Sequence, residues 1–404
     1  MNNPAVVRLD PQSEVTFPPW PHFSEEEIAA VARVLRSGKV NYWTGTEGRQ
    51  FEAEYARAAG VRHAIALANG SVALELALAM LGIGPGDEVI TTPRTFIASA
   101  SSAVLRGAQP VFADVDRDSQ LITAATIAPL ITPRTRAIIV VHLAGWPCEM
   151  DSIVALARLH GIAIIEDCAQ ANGAAFRDAP VGSFGKFGAF SFCQDKIITT
   201  GGEGGMLVTD DEALWSRAWA FKDHGKSYEA VYERTHGPGF RWLHESFGTN
   251  WRMTEMQAVL GRLQLARLAA SVEQRRHNAE LMLRGLADVA GLRIPVPPAH
   301  VHHAYYKFYA FLEREWLAHD WSRERLITEI VARGVPCFSG SCSEIYLEKA
   351  FDGHPSRPAQ PLPVARELGE TSLMFLVHPT LTDEHIGRAV QVTRDVLKRA
   401  LRPA

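Results

Sequence analysis

Cysteine is scarce in this chain and poorly spaced for structural use. Cys148, Cys168, Cys193, Cys337 and Cys342 make an odd count of five with no C-x-x-C pair, and no histidine cluster at zinc-finger spacing stands beside the closest two. A disulfide framework and a structural zinc site are therefore not expected; reduced thiols in a cytoplasmic protein, and no metal, are. Long apolar runs are missing too. None approaches the roughly 20 residues that a membrane helix needs. Met1–Pro19 lacks the basic region followed by an apolar stretch that marks a signal peptide. Charge of one sign is also lacking: 41 Lys and Arg stand against 45 Asp and Glu, a formal balance of −4. That leaves no basic stripe for nucleic acid and no acidic tail. Neither internal repeats nor low-complexity segments interrupt the chain.

What is present is a 404-residue chain, 47% hydrophobic, long enough for a sizeable core and more than one domain. Residues 1–23 carry several prolines and read as a loose arm. Ser24 and Glu27 form a capping box that opens a helix, and Gly38 stops it. A second helix is expected from about Glu47 to Ala59. Short apolar runs then alternate with amphipathic stretches. Strands are expected at His63–Ala68, Glu88–Thr91, Pro110–Ala113, Ala137–His142 and Ile162–Glu166. Helices are expected at Val72–Leu81, Phe96–Arg106, Ala124–Ile131 and Met150–His160. This alternation predicts an α/β fold, a mostly parallel sheet covered by helices on both faces. Ala189–Cys193 and Gly205–Thr209 follow with no long helix between them, which one antiparallel strand would accommodate. Thr254–Leu286 reads as a long helix broken near Ala270. Beyond Pro295–Pro298 the pattern changes: a strand at Tyr305–Leu312 and helices at Ser322–Arg333 and Asp383–Arg399 suggest a small α+β domain. The expected division is an arm at 1–23, a large α/β domain at 24–288 and a small C-terminal domain at 289–404.

Ligands of open α/β sheets sit at the carboxyl ends of the strands, and four polar groups fall there. Asn69-Gly70-Ser71 joins a strand to a helix, so it offers free backbone N–H groups to a phosphate or is an ordinary turn capped by Ser71. Asp167 follows the apolar run Ile164–Ile165, where a carboxylate needs a cationic partner or serves as a helix cap. Lys196, in Ser191–Lys196, precedes the loop Thr199-Thr200-Gly201-Gly202-Glu203-Gly204-Gly205. A desolvated lysine there can form imines, and the glycines admit a ligand close to the backbone. The order G-x-x-x-x-G-K-[ST] of a Walker loop is absent. Finally, Thr254 and Gln257 can form a capping box, with Asn250 and Arg252 on the loop before it, free to meet a ligand or another subunit.

The order and spacing of these groups resemble one family, the DegT/StrS sugar and aminocyclitol aminotransferases. These are pyridoxal-phosphate (PLP) enzymes of fold type I. The resemblance runs from about Thr16 to Leu397 and rests on EDCAQA at Glu166–Ala171, SFCQDKIITTGGEGG at Ser191–Gly205 and TNWRMTEMQA at Thr249–Ala258. It implies that Lys196 holds PLP as a Schiff base, that Asp167 pairs with the pyridine nitrogen, and that Gln170 lies near the cofactor's O3′ side. Phe96 would stack on the ring, and Gly70, Ser71 and Ser191 would bind the phosphate. Asn250 would reach the phosphate of a neighbouring subunit, which makes the active unit a homodimer.

The implied reaction moves an amino group from an amino acid, L-glutamate in this family, to a nucleotide-linked keto-deoxy sugar. It is ping-pong, with pyridoxamine phosphate as the intermediate form. Arg94, Lys222, Arg241 and Arg252 are candidates for the sugar's pyrophosphate or are surface charges. The family's dehydratase relative has histidine at the position of Lys196. Two departures, Ala144 with Trp146 after His142-Leu143 and Lys186 before the Ser-Phe strand, leave the sugar-side pocket open. The alternatives are an aminocyclitol (inosose) aminotransferase, a desulfurase using Cys337 or Cys342, and a non-catalytic regulator that binds PLP or sugar.

Overall fold

The computed structural model describes residues 15–402; residues 1–14, most of the expected arm, lie outside them. The main sheet has seven strands: β1 His63–Leu67, β2 Glu88–Thr91, β3 Gln109–Phe112, β4 Thr135–Val141, β5 Ala163–Asp167, β6 Phe187–Ser191 and β7 Gly205–Thr209. Their spatial order is β1-β7-β6-β5-β4-β2-β3. All neighbours are parallel except β7, which runs antiparallel to both β1 and β6. A short connection explains this: parallel strands need a long crossover, and β6 and β7 are joined only by the lysine and glycine loop. Strands β2, β4, β5, β6 and β7 are buried along almost their whole length, as a sheet covered on both faces requires.

Helix ends follow the sequence closely. Ser24 and Glu27 make the capping box, and Gly38 closes that helix with φ of 67°. Thr254 and Gln257 make theirs. The long helical stretch breaks at Arg267, into Glu255–Ala266 and Leu268–Leu286. The expected helix at Phe96–Arg106 starts later, at Ala98, so Phe96 sits on the loop before it.

A second sheet has four antiparallel strands, β8 Leu292–Arg293, β9 Phe308–Leu312, β10 Cys337–Phe338 and β11 Ser372–Phe375, in the order β8-β9-β11-β10. Its core takes Phe308, Leu326, Leu373 and Val396, together with Ala279, Met282 and Leu286 from the helix before residue 289. The helix Asp383–Ala400 lies along that helix. The first three residues of the expected strand at Tyr305–Leu312 are loop, because Tyr305 has φ of 44° and Tyr306 is tied to Ala144 in the turn after β4 instead.

The described part of the arm, residues 15–23, is packed rather than loose. Trp20 stacks on His378 and its Nε1 donates to the Lys196 carbonyl at 3.1 Å.

Candidate active site

A cavity of about 970 Å³ opens at the carboxyl ends of β4, β5 and β6. Its wall includes Gly70, Ser71, Phe96, Asp167, Gln170, Ser191 and Lys196. Seven residues spread over 126 positions of sequence thus meet in one place, because each follows or ends a strand of the sheet, or lies in the lysine loop after β6.

The helix Gly70–Met80 points its N-terminus at this cavity. Its cap is Asn69, whose side chain accepts from the Val72 N–H at 3.0 Å, and not Ser71. The N–H groups of Gly70 and Ser71 have no partner within the helix and carry its positive end. Gly70 is required here: a Cβ would lie 2.7 Å from that of Ser191. Asp167 ends β5, buried, with Oδ2 accepting from Ser99 Oγ at 2.7 Å and Oδ1 from the Ala169 N–H at 3.1 Å. Burial pushes its carboxyl above the ordinary range, against the pull of those two bonds, Lys196 and His142. Phe96 is 69% exposed, a large ring face left open over the cavity. Gln170 Oε1 accepts from the Ala144 N–H at 2.8 Å, which fixes the amide.

Behind Asp167 lies a buried knot of His142, Glu166 and Cys168, close enough together to suggest a metal. Protein donors already fill it. Glu166 accepts from His142 Nε2 at 3.0 Å and from the N–H groups of Gly182, Phe184 and Gly185 at 2.7–2.8 Å. His142 Nδ1 accepts from the Cys148 N–H. The knot ties β4 and β5 to the segment that leads into β6, and so holds Asp167 and Ser191 in register.

The four cations expected at the substrate are placed otherwise. Arg94 is fully buried; it donates from Nε to Gln120 at 2.9 Å and from Nη1 to Ser343 Oγ at 2.8 Å. Lys222 is also fully buried, 2.8 Å from Glu52 Oε1 and 3.9 Å from the centre of the Tyr42 ring. Burial lowers the pKa of both. Neither can reach a substrate, because Gln120 and Ser343 hold Arg94 inside, and Glu52 and the Tyr42 ring hold Lys222. Arg252 donates to buried Asp223, and Arg241 is exposed; neither lines this chain's cavity. Asn250 is exposed and bridges to Asp223, outside the cavity of its own chain.

The correction at Lys222 is measurable. Lys222→Met should lower stability by about 3–5 kcal/mol, because Glu52 is left buried without its cation, while the KM for a sugar acceptor stays unchanged. Thermal unfolding and steady-state kinetics on the same variant would separate the two.

Several wall residues escaped the sequence reading. Ser99 holds Asp167 from a helix that reads as a plain small-residue stretch. Ser341 and Glu348 arrive from 145 or more residues beyond Lys196, and no local signal marks them; Cys342, singled out above only as a desulfurase candidate, lines the wall between them. Tyr306, expected in the strand Tyr305–Leu312, lies on the loop before β9 and joins the wall. Cys337 is buried and its thiol is pushed up to about 12, and burial raises Cys342 as well. Neither offers a ready thiolate, which argues against a desulfurase.

The sheet order, the single reversed strand and a cavity that joins a lysine to a buried carboxylate define a PLP-dependent transferase of fold type I. The chain belongs to the DegT/DnrJ/EryC1/StrS aminotransferase family, whose profile matches residues 21–394. It is 38% identical, over 93% of its length and 96% of the relative's, to a UDP-N-acetyl-3-dehydro-α-D-glucosamine 3-aminotransferase from Acidithiobacillus ferrooxidans. The structure of an aminotransferase from Psychrobacter cryohalolentis matches with a TM-score of 0.94 and 58% identity, over 95% of this chain and 99% of that one. DesV of S. venezuelae, solved in complex with a ketimine intermediate, matches with a TM-score of 0.82 and 34% identity, over 93% and 95%. Among the described residues no helix is long and apolar enough to cross a membrane.

Proposed function

We propose that this enzyme transfers an amino group from L-glutamate to a nucleotide-linked keto sugar, with UDP as the nucleotide, in a ping-pong sequence. The observation that carries the reading is the convergence of Lys196, Asp167 and the Gly70–Ser71 helix start on one cavity. The name of the Acidithiobacillus relative supports the UDP-linked keto sugar.

The residues present fit PLP. The first-turn N–H groups of Gly70 and Ser71, with the Ser191 hydroxyl, suit a phosphate. Asp167 has one donor on each oxygen and could accept a third from a protonated ring nitrogen, which would also offset the cost of its burial. Phe96 offers a stacking face, and Gln170 a fixed amide. When bound, the cofactor supplies an electron sink for the substrate carbon. Lys196 Nζ would hold the cofactor and, when free, would serve as the acid–base group that moves the proton at the substrate carbon. Asp167 would hold the proton on the ring nitrogen. Phe96 and the apolar wall exclude water. Asn250, exposed here, is read as the residue that completes the cavity of a second subunit, so the working unit is a homodimer.

Adding L-glutamate to the cofactor-loaded protein should replace its visible absorption band, and adding a UDP-linked keto sugar should restore it. Initial-rate plots with both substrates varied should run parallel. Intersecting lines would rule out the ping-pong order, and a protein that neither takes up PLP nor responds to any amino donor would rule out the reading. A panel that includes inosose ketones tests the cyclitol alternative.

A further inference from the structure

The chemistry above gives no task to Asp195 or Tyr306, yet both line the cavity beside Lys196. Lys196 Nζ lies 3.5 Å from Tyr306 Oη and 4.8 Å from the centre of its ring. Tyr306 in turn donates its hydroxyl proton to Asp195 Oδ2. With the proton pointed that way, an oxygen lone pair is left for the lysine. Lys307 Nζ stands 3.6 Å from the same Asp195 oxygen.

This group is held from several sides. The Tyr306 N–H donates to the Ala144 carbonyl at 2.8 Å, and the Tyr306 carbonyl accepts from buried Arg275 at 3.4 Å. The approach depends on Gly145, where φ is 91° and a Cβ would stand 3.0–3.1 Å from the backbone nitrogens of Tyr305 and Tyr306. On the other flank Trp20 holds the Lys196 carbonyl. Burial beside a carboxylate pushes the phenol up, so Tyr306 stays protonated. Burial also pushes Asp195 up, but Lys196, Tyr306 and Lys307 outweigh it and hold the carboxyl below its ordinary value.

We propose that Tyr306 and Asp195 form a dock for the Lys196 amine, and that Lys307 is the counter-charge that limits its grip. The proposal rests on the reading of Lys196 as the residue that carries the cofactor. A carboxylate one hydroxyl away favours a protonated nitrogen at Lys196, and a second ammonium on the same carboxylate opposes that. The balance acts on the nitrogen by which Lys196 would hold the cofactor. Asp195 acts through Tyr306 and is a positioning residue. The other ionisable groups around Lys196 are Asp167 from β5, Cys193 on its own loop, Glu203 on the cavity wall and Arg275 behind Tyr306. They stay in place in the variants below.

The test is a pH titration of the visible absorption of the cofactor-loaded protein. Asp195→Asn should lower the midpoint by about one pH unit, and Lys307→Met should raise it by a similar amount. Loosened packing would not give shifts of opposite sign. Tyr306→Phe keeps the ring and removes the hydroxyl; it should slow the donor half-reaction about 10²-fold, as misplacement of a reacting group does. Borohydride trapping and peptide mapping on the same samples locate the cofactor. If it is attached elsewhere than Lys196, the functional reading fails and the proposal with it. If it is on Lys196 and neither charge variant moves the midpoint, the proposal alone is overturned.

Discussion

Lys196→Ala should leave a folded protein whose turnover has fallen by about 10⁴-fold or more, the upper end of what a general acid–base group contributes. The side chain carries little of the fold. Among the described residues its Nζ has one hydrogen-bond partner, Tyr306 Oη at 3.5 Å, and its ammonium faces that ring. Its removal leaves Lys307 on Asp195, so no buried carboxylate is stranded. The melting temperature should therefore stay close to wild type while the spectral response to L-glutamate disappears. A small added amine should restore part of the rate by replacing the missing base. A variant that turns over at the wild-type rate would remove Lys196 from the chemistry, whatever its place in the cavity.

Asp167→Asn should act in opposite directions on stability and activity. Burial raises this carboxyl, so its favourable contribution to folding exists only in acid and is lost as pH rises through the shifted value. At neutral pH the cofactor-free protein carries a penalty that asparagine does not. Its amide oxygen can keep the Ala169 N–H, and its NH₂ can donate to Ser99 Oγ, which already shares a hydrogen bond with Thr95 Oγ1 at 2.9 Å. The cofactor-free variant should thus melt at or above the wild-type temperature. The loaded variant should lose about 10²–10³-fold in rate, the scale of a missing preorganised electrostatic partner. A melting temperature several degrees below wild type without cofactor would mean that the carboxylate is already paired and the assigned partner is wrong.

Much of the fold was legible because local chemistry and the tertiary contact agree. The capping residues Ser24 and Thr254 satisfy helix N–H groups within their own turn, so no distant partner is needed. The apolar runs of β4 and β5 are strands in any fold that buries both faces of a sheet. The two-residue strands at Leu292–Arg293 and Cys337–Phe338 escaped, because pairs so short exist only through their partners. Arg94 and Lys222 were misjudged for a related reason. A cation beside apolar residues looks available in one dimension, and Gln120, Ser343 and Glu52, which take these two inside, lie 26 to 249 positions away.

The sequence alone determined the strand–helix alternation, the lysine loop with its glycines, the acidic strand end and the family resemblance, since each depends on residues within a few positions of one another. The tertiary structure decided which cations face inward, that Ser99 and not a neighbour in sequence holds Asp167, and that Lys196 rests on Tyr306 and, through it, on Asp195. Those outcomes depend on which strand ends and loops meet, and on how burial changes the cost of a charge. Neither is written in any one stretch of the chain.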